Sequence, residues 1–208
     1  NEAGPQGSTE FGLGLPLSKK ARVGVFGSDA GSNPYGINAC QSWIGLGSQL
    51  CPANATSNGT QAIGWGSGAG FFPYLIDPLA GISQVAKENH GAVLDNLNDV
   101  GDAQNQMLVK QAAGLSDAAL VFVQARSGED SDRHSLRLDA DGDELIKLVA
   151  SANNNTIVVM HTVGPILMSD WFDHPNITAL VFPHLPGQES GNSLANVLYG
   201  DVNPSGKM

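Results

Sequence analysis

Five short apolar runs, rich in β-branched residues, recur over residues 22–27, 92–97, 118–124, 156–161 and 177–182. They are near-continuous rather than alternating, the pattern of strands buried on both faces. The segments between them repeat apolar residues at helical spacing. Residues 77–89 carry Leu79, Ile82 and Val85, and 103–115 carry Leu108, Ala112 and Leu115. Residues 141–152 carry Leu145, Leu148, Val149 and Ala152, and 190–199 carry Leu194, Val197 and Leu198. Asp141, with Glu144 three residues on, predicts a capping box for the third helix. Strand alternating with helix predicts an α/β fold. The expected form is a three-layer sandwich with a mainly parallel sheet of five or six strands, covered by helices on both faces.

Residues 28–73 break this rhythm. The stretch is rich in Gly, Ser and Asn, and a loop of that length in a compact domain is usually functional or a decorated insertion. Residues 1–20 are also irregular. The 208 residues suit one domain and are enough to bury a full core. A net charge of −10 argues against nucleic acid or an anionic membrane as partner, since both need a basic surface. No apolar run approaches the ~20 residues that a membrane span needs. Asn-x-Ser/Thr sequons occur at Asn54, Asn58, Asn154 and Asn176, none with proline in the middle position. Cys40 and Cys51 stand in the polar loop, which suits one loop-closing disulfide better than two buried thiols. Together these features predict a secreted, extracellular glycoprotein.

Ligands of open parallel sheets gather at the carboxyl ends of the strands. Ser28-Asp29-Ala30-Gly31, Ser127-Gly128-Glu129-Asp130, Thr162-Val163-Gly164-Pro165 and residues 184–191 leave those ends. In the second loop, Gly128 lets a ligand approach the backbone closely, and Glu129 follows at once. A carboxyl there can act as a general acid if its surroundings raise its pKa. On spacing alone, a solvated loop glutamate is the simpler reading. Gly24 to Gly31 lacks the dinucleotide spacing, and residues 139–150 lack the sixth-position glycine and twelfth-position acid of a calcium loop. His90, His134, His161, His174 and His184 show no metal-ligand spacing, and no Gly-x-Ser-x-Gly elbow exists. Nothing in the sequence asks for a metal or a cofactor.

Longer motifs then line up in order. They are Phe26-Gly-Ser-Asp-Ala-Gly-Ser-Asn-Pro-Tyr-Gly36, Gly64-Trp-Gly-Ser-Gly68, Thr156-Ile-Val-Val-Met-His-Thr-Val-Gly-Pro165 and Leu185-Pro-Gly-Gln-Glu-Ser-Gly-Asn-Ser-Leu-Ala195, followed by Val197-Leu-Tyr-Gly-Asp-Val-Asn-Pro-Ser-Gly-Lys207. This succession resembles the second, (α/β)6-sandwich domain of fungal family 3 glycoside hydrolases, chiefly β-glucosidases. The resemblance runs from about Leu15 to the last residue. It implies a preceding barrel domain that supplies an aspartate nucleophile, while the sandwich supplies the general acid/base from a Ser-Gly-Glu-Gly-Tyr loop. Ser127-Gly128-Glu129 matches that motif. Glu129 is therefore the implied acid/base, and Ser127 and Gly128 are candidate substrate-binding residues. The motif then departs from the pattern: Asp130 and Ser131 stand where glycine and tyrosine would be, which bears on aglycone preference. Arg126 adds a positive charge that could hold Glu129 ionised.

Ser169-Asp170-Trp171 spells the short sequence that surrounds the family's nucleophile. It lies within residues 166–174, which resemble a sandwich-domain helix, and Asp170 is expected on that helix's surface. By the same resemblance a helix and strand precede Asn1 and a further domain follows Lys207. The expectation is a fragment with the catalytic barrel absent, unable to hydrolyse glycosides alone. The whole protein is expected to be a retaining β-glucosidase acting on terminal β-glucosyl residues of cellobiose or of aryl and alkyl glucosides, as in cellulose breakdown. The alternative is a carbohydrate- or protein-binding module derived from that domain. A homo-oligomer is compatible with either.

Overall fold

The computed structural model describes residues 12–38, 59–64, 66–129 and 132–206. Cys40, Cys51, Asn54, Asn58, Asp130 and Ser131 lie outside the described residues, so the expected disulfide and two of the sequons do too. The strands are β1 (Arg22–Phe26), β2 (Ala92–Asn96), β3 (Ala118–Ala125), β4 (Thr156–Thr162) and β5 (Ile177–Val181). The helices are α1 (Pro78–Asn89), α2 (Ala103–Leu115), α3 (Gly142–Ala150) and α4 (Ser190–Leu198). All strand pairs are parallel, in the order β2-β1-β3-β4-β5. The expected three-layer α/β architecture is the one found, with five strands.

Burial explains why the apolar runs are continuous. β3 and β4 are buried along their whole length, and β1 is buried beyond Arg22. β2 and β5, at the edges, are only half-buried. One face of the sheet packs Val23, Val25, Leu120, Phe122, Ile157 and Val159 against Ile82 of α1 and Leu194 and Leu198 of α4. The other packs Val121, Val123, Val158 and Met160 against Val109 of α2 and Leu145, Ile146 and Val149 of α3. Each strand thus sends alternate residues into two separate cores.

Local chemistry fixes the helix starts. Asp77 caps α1 by accepting from Ala80 N–H at 2.8 Å, with Pro78 at the first helical position. Asp102 caps α2 by accepting from Asn105 N–H at 2.9 Å. The capping box expected at α3 does not form. Asp141 stands at the cap with a left-handed φ of 55°, and its side chain makes no capping bond. Its carbonyl alone accepts from Glu144 and Leu145 N–H. Residues 166–174 also differ from expectation: 169–173 form consecutive turns flanked by irregular chain, rather than a helix. Trp171 anchors them: it is buried, and its indole N–H donates to Asp143 at 2.7 Å. Among the described residues, no helix is long and apolar enough to cross a membrane.

The strand order reverses between β1 and β3. The chain goes from β1 outward to β2, then returns past β1 to β3. The connections through α1 and α2 therefore lie on opposite faces, and a crevice opens at the carboxyl ends of β1 and β3. In open α/β sheets this switch point is where ligands bind.

Candidate active site at the carboxyl rim of the sheet

At the end of β1, Gly27 takes a φ of 104°, and a Cβ there would lie 2.2 Å from Phe122 O on β3. Only glycine lets the chain turn so close to its neighbour. The turn delivers Asp29 into the protein interior, where its side chain is 2% exposed. Asp29 Oδ2 lies 2.6 Å from His161 Nδ1 on β4, and Oδ1 accepts from Gln61 N–H at 2.8 Å. Burial raises the Asp29 carboxyl above its ordinary range, against the pull of His161, the Gln61 N–H and Arg126. His161 stacks beside Phe122, and its Nε2 is buried without a partner. With its amide nitrogen turned inward, Gln61 donates to Ala125 O at 3.2 Å and His161 O at 3.1 Å. The polar loop is thereby tied to the ends of β3 and β4.

The loop after β3 is closed at its base. Asp139 N–H donates to Gln124 O, and Asp139 Oδ2 accepts from Arg126 N–H, both at 2.9 Å. Arg126 Nε donates to Gln124 Oε1 at 2.9 Å. The Arg126 charge acts on Asp29 and Asp139 rather than on Glu129, contrary to the expectation from its neighbouring position. Ser127 and Gly128 are half-buried as the chain leaves the strand, and Glu129 is exposed. Glu129 Oε2 accepts from Ser67 N–H at 2.6 Å. The Ser67 hydroxyl, then its N–H, hold the Glu129 carboxyl below its ordinary range.

A second carboxylate sits on the rim at the start of α4. Glu189 accepts from Tyr74 hydroxyl at 2.5 Å and from Asn192 Nδ2 at 2.7 Å. The Tyr74 hydroxyl first, then Asn192, keep Glu189 ionised. Asp170 is exposed in the turns after β4, where Arg137 donates to it at 2.6 Å and Ser169 at 3.1 Å. Arg137 and Ser169 lower its pKa. Asp170 shares none of these partners with Glu129. Of the described sequons, Asn154 is half-buried, and Asn176 Nδ2 donates to Ala150 O at 2.8 Å.

Sequence reasoning singled out Glu129 but not Ser67, whose N–H its carboxylate accepts. Gly64-Trp-Gly-Ser-Gly68 drew notice as a landmark of the resemblance, and its physical role emerges only where Ser67 meets Glu129. Residues 12–208 match the model of the glycosyl hydrolase family 3 C-terminal domain. The chain belongs to that family. It is 47% identical over 202 residues to a probable β-glucosidase A of Aspergillus clavatus, covering 93% of this chain and 22% of that protein. A solved family 3 β-glucosidase of Neurospora crassa superposes with a TM-score of 0.80 at 43% identity, over 92% of this chain and 22% of the other. A Chaetomium thermophilum β-glucosidase gives 0.80 at 42%, over 94% and 23%. This family 3 domain therefore spans about a fifth of the length of the relatives it matches.

Proposed function

We propose that this domain supplies the general acid/base, Glu129, to a secreted retaining β-glucosidase whose nucleophile comes from another domain. Terminal β-linked glucosyl residues of cellobiose or of aryl and alkyl glucosides would be the substrates. One observation carries the reading: a Ser-Gly-Glu segment leaves the buried strand β3 beside the switch point and presents an exposed, oriented carboxyl. The β-glucosidase names of the relatives support the substrate class. The sequons and the cysteine pair support secretion.

In a retaining reaction the two carboxyls stand ~5–5.5 Å apart, and one changes role between steps. In the first step Glu129 gives its proton to the glycosidic oxygen as the nucleophile attacks the anomeric carbon. In the second it takes a proton from the water that releases glucose. An ionised nucleophile close by would raise the pKa of Glu129 and keep it protonated for the first step. Once the nucleophile is esterified that charge is gone, and the Ser67 contact favours the carboxylate needed for the second.

The test is Glu129→Ala in the full-length protein that carries this domain. Hydrolysis of glucosides with poor leaving groups should fall by roughly 10²–10⁴-fold, and of those with good ones far less, because only the former need a proton. Equal loss on both would move the role elsewhere. A sugar-binding module is the second reading, favoured by the exposed aromatic rings of Tyr35, Phe71 and Tyr74 on the loops of this rim. Glucose binding by this chain, with hydrolysis of an aryl glucoside by the full-length protein undiminished in Glu129→Ala, would favour the binding module over the acid/base reading.

A further inference from the structure

We propose that Ser67 is the positioning residue of Glu129, holding the carboxylate in one orientation through its backbone N–H. This rests on the reading of Glu129 as acid/base. The contact joins residues 62 positions apart, and both of its sides are built. Ser67 is the second residue of a β-turn closed by Ala69 N–H donating to Gly66 O at 3.0 Å. Gly66, with a φ of 140°, leaves the space the carboxylate uses: a Cβ there would lie 3.0 Å from Glu129 Cβ and 3.1 Å from Oε2.

The loop that carries the turn is fixed at both ends, so Ser67 is held against the rim rather than carried on a free strand of chain. Before the turn, Thr60 N–H donates to Gly31 O, Gln61 N–H to Asp29 and Gly187 N–H to Ala62 O. After it, Ile76 N–H donates to Gln188 O and Gly191 N–H to Ile76 O. The buried Asp29–His161 pair thus lies at the root of the loop that sets Glu129. A carboxyl on a chain as flexible as glutamate gains from such a contact, because a catalytic group must stay within a narrow range of productive geometry. The Ser67 N–H favours the ionised form, so it assists the water-activating step and opposes the proton-donating one.

The second position of a β-turn accepts proline, so Ser67→Pro keeps the turn and removes the N–H. Ser67→Ala removes only the hydroxyl, and Ser67→Thr keeps both. In the full-length protein, kcat/KM for an aryl β-glucoside with a poor leaving group is followed against pH. Its basic limb reports the acid in the free enzyme. The limb should move to higher pH in Ser67→Pro, by less in Ser67→Ala, and stay in place in Ser67→Thr. The kcat of Ser67→Pro should drop by roughly three- to tenfold as the carboxyl loses its orientation. Thermal unfolding checks that each variant is folded; should the proline variant unfold, Gly66→Ala, whose Cβ would lie 3.1 Å from Glu129 Oε2 and push the carboxyl off the Ser67 N–H, carries the test. A basic limb unmoved in folded Ser67→Pro, or in Gly66→Ala where the proline variant unfolds, overturns the proposal. Glu129→Gln, run alongside, separates the two ideas. Lost activity there with an unmoved limb overturns the role of Ser67 alone, whereas retained activity removes the acid/base reading and this proposal with it.

Discussion

Asp29, Asp99 and Asp139 border one cavity of about 10 Å³ at the switch point, on the scale of a single water. Burial raises the pKa of each, against the Ser28 N–H at Asp99 and the Arg126 N–H at Asp139. A carboxyl whose folded pKa exceeds its unfolded value of about 4 binds more protons when folded. Stability is then full below that value and falls as pH rises through the folded pKa. Glu129, Asp170 and Glu189 are shifted downward and act in the opposite sense, losing stability as pH falls, but all three are solvent-screened. The domain should therefore melt at a higher temperature near about pH 4 than near about pH 8, and Asp99→Asn should flatten that slope. A Tm that climbs steadily to pH 8 would contradict the sign. Of this rim, the loops and Glu129 were legible in the sequence. The Asp29–His161 contact, which spans 132 positions, and Ser67 against Glu129 were not, because neither pair has a local signal.

Elements were the most legible level. Each strand was expected within one residue of where it ends, because a strand buried on both faces leaves an uninterrupted apolar run. The capping box was misread because Asp139 folds back onto Gln124 and Arg126, and the chain enters α3 through left-handed Ala140 and Asp141. Over 166–174 the apolar pattern suggested a helix because Ile166, Met168 and Trp171 all pack into one core, yet they do so from irregular chain and turns. The α1–α4 contact offers a sharp check at this scale. Gly191 packs so closely that a Cβ would lie 2.0 Å from Asp77 O. Gly191→Ala should cost about 1–3 kcal/mol through overpacking. Gly114, exposed near the end of α2, has only Ala152 O at 3.6 Å, and Gly114→Ala should gain about 0.5–1 kcal/mol of helix stability. Urea unfolding of both variants decides the matter, and equal effects would show that the α1–α4 contact yields more than its geometry implies.

At the scale of the whole molecule, the sheet is built to carry its rim. Two buried cores clamp β3 and β4, and the loops that leave their carboxyl ends are cross-tied through Gln61, Asp139 and Gly187. The fold was readable from the alternation of strand and helix, whereas the function was not: by spacing, Glu129 reads as a solvated loop residue, and the proposed acid/base role comes from the resemblance of longer motifs. Retaining hydrolysis needs two carboxyls acting together. The described rim offers Glu129 with Ser67, and Glu189 and Asp170 each bound elsewhere. The most direct measurement is azide rescue of the full-length Glu129→Ala protein with a glucoside bearing a good leaving group. Azide attacks a glycosyl-enzyme intermediate without help from a base. The expected result is restored turnover with β-glucosyl azide, of retained configuration, as product. No rescue, or an α-configured product, would contradict the assignment of Glu129 as the acid/base of a retaining enzyme.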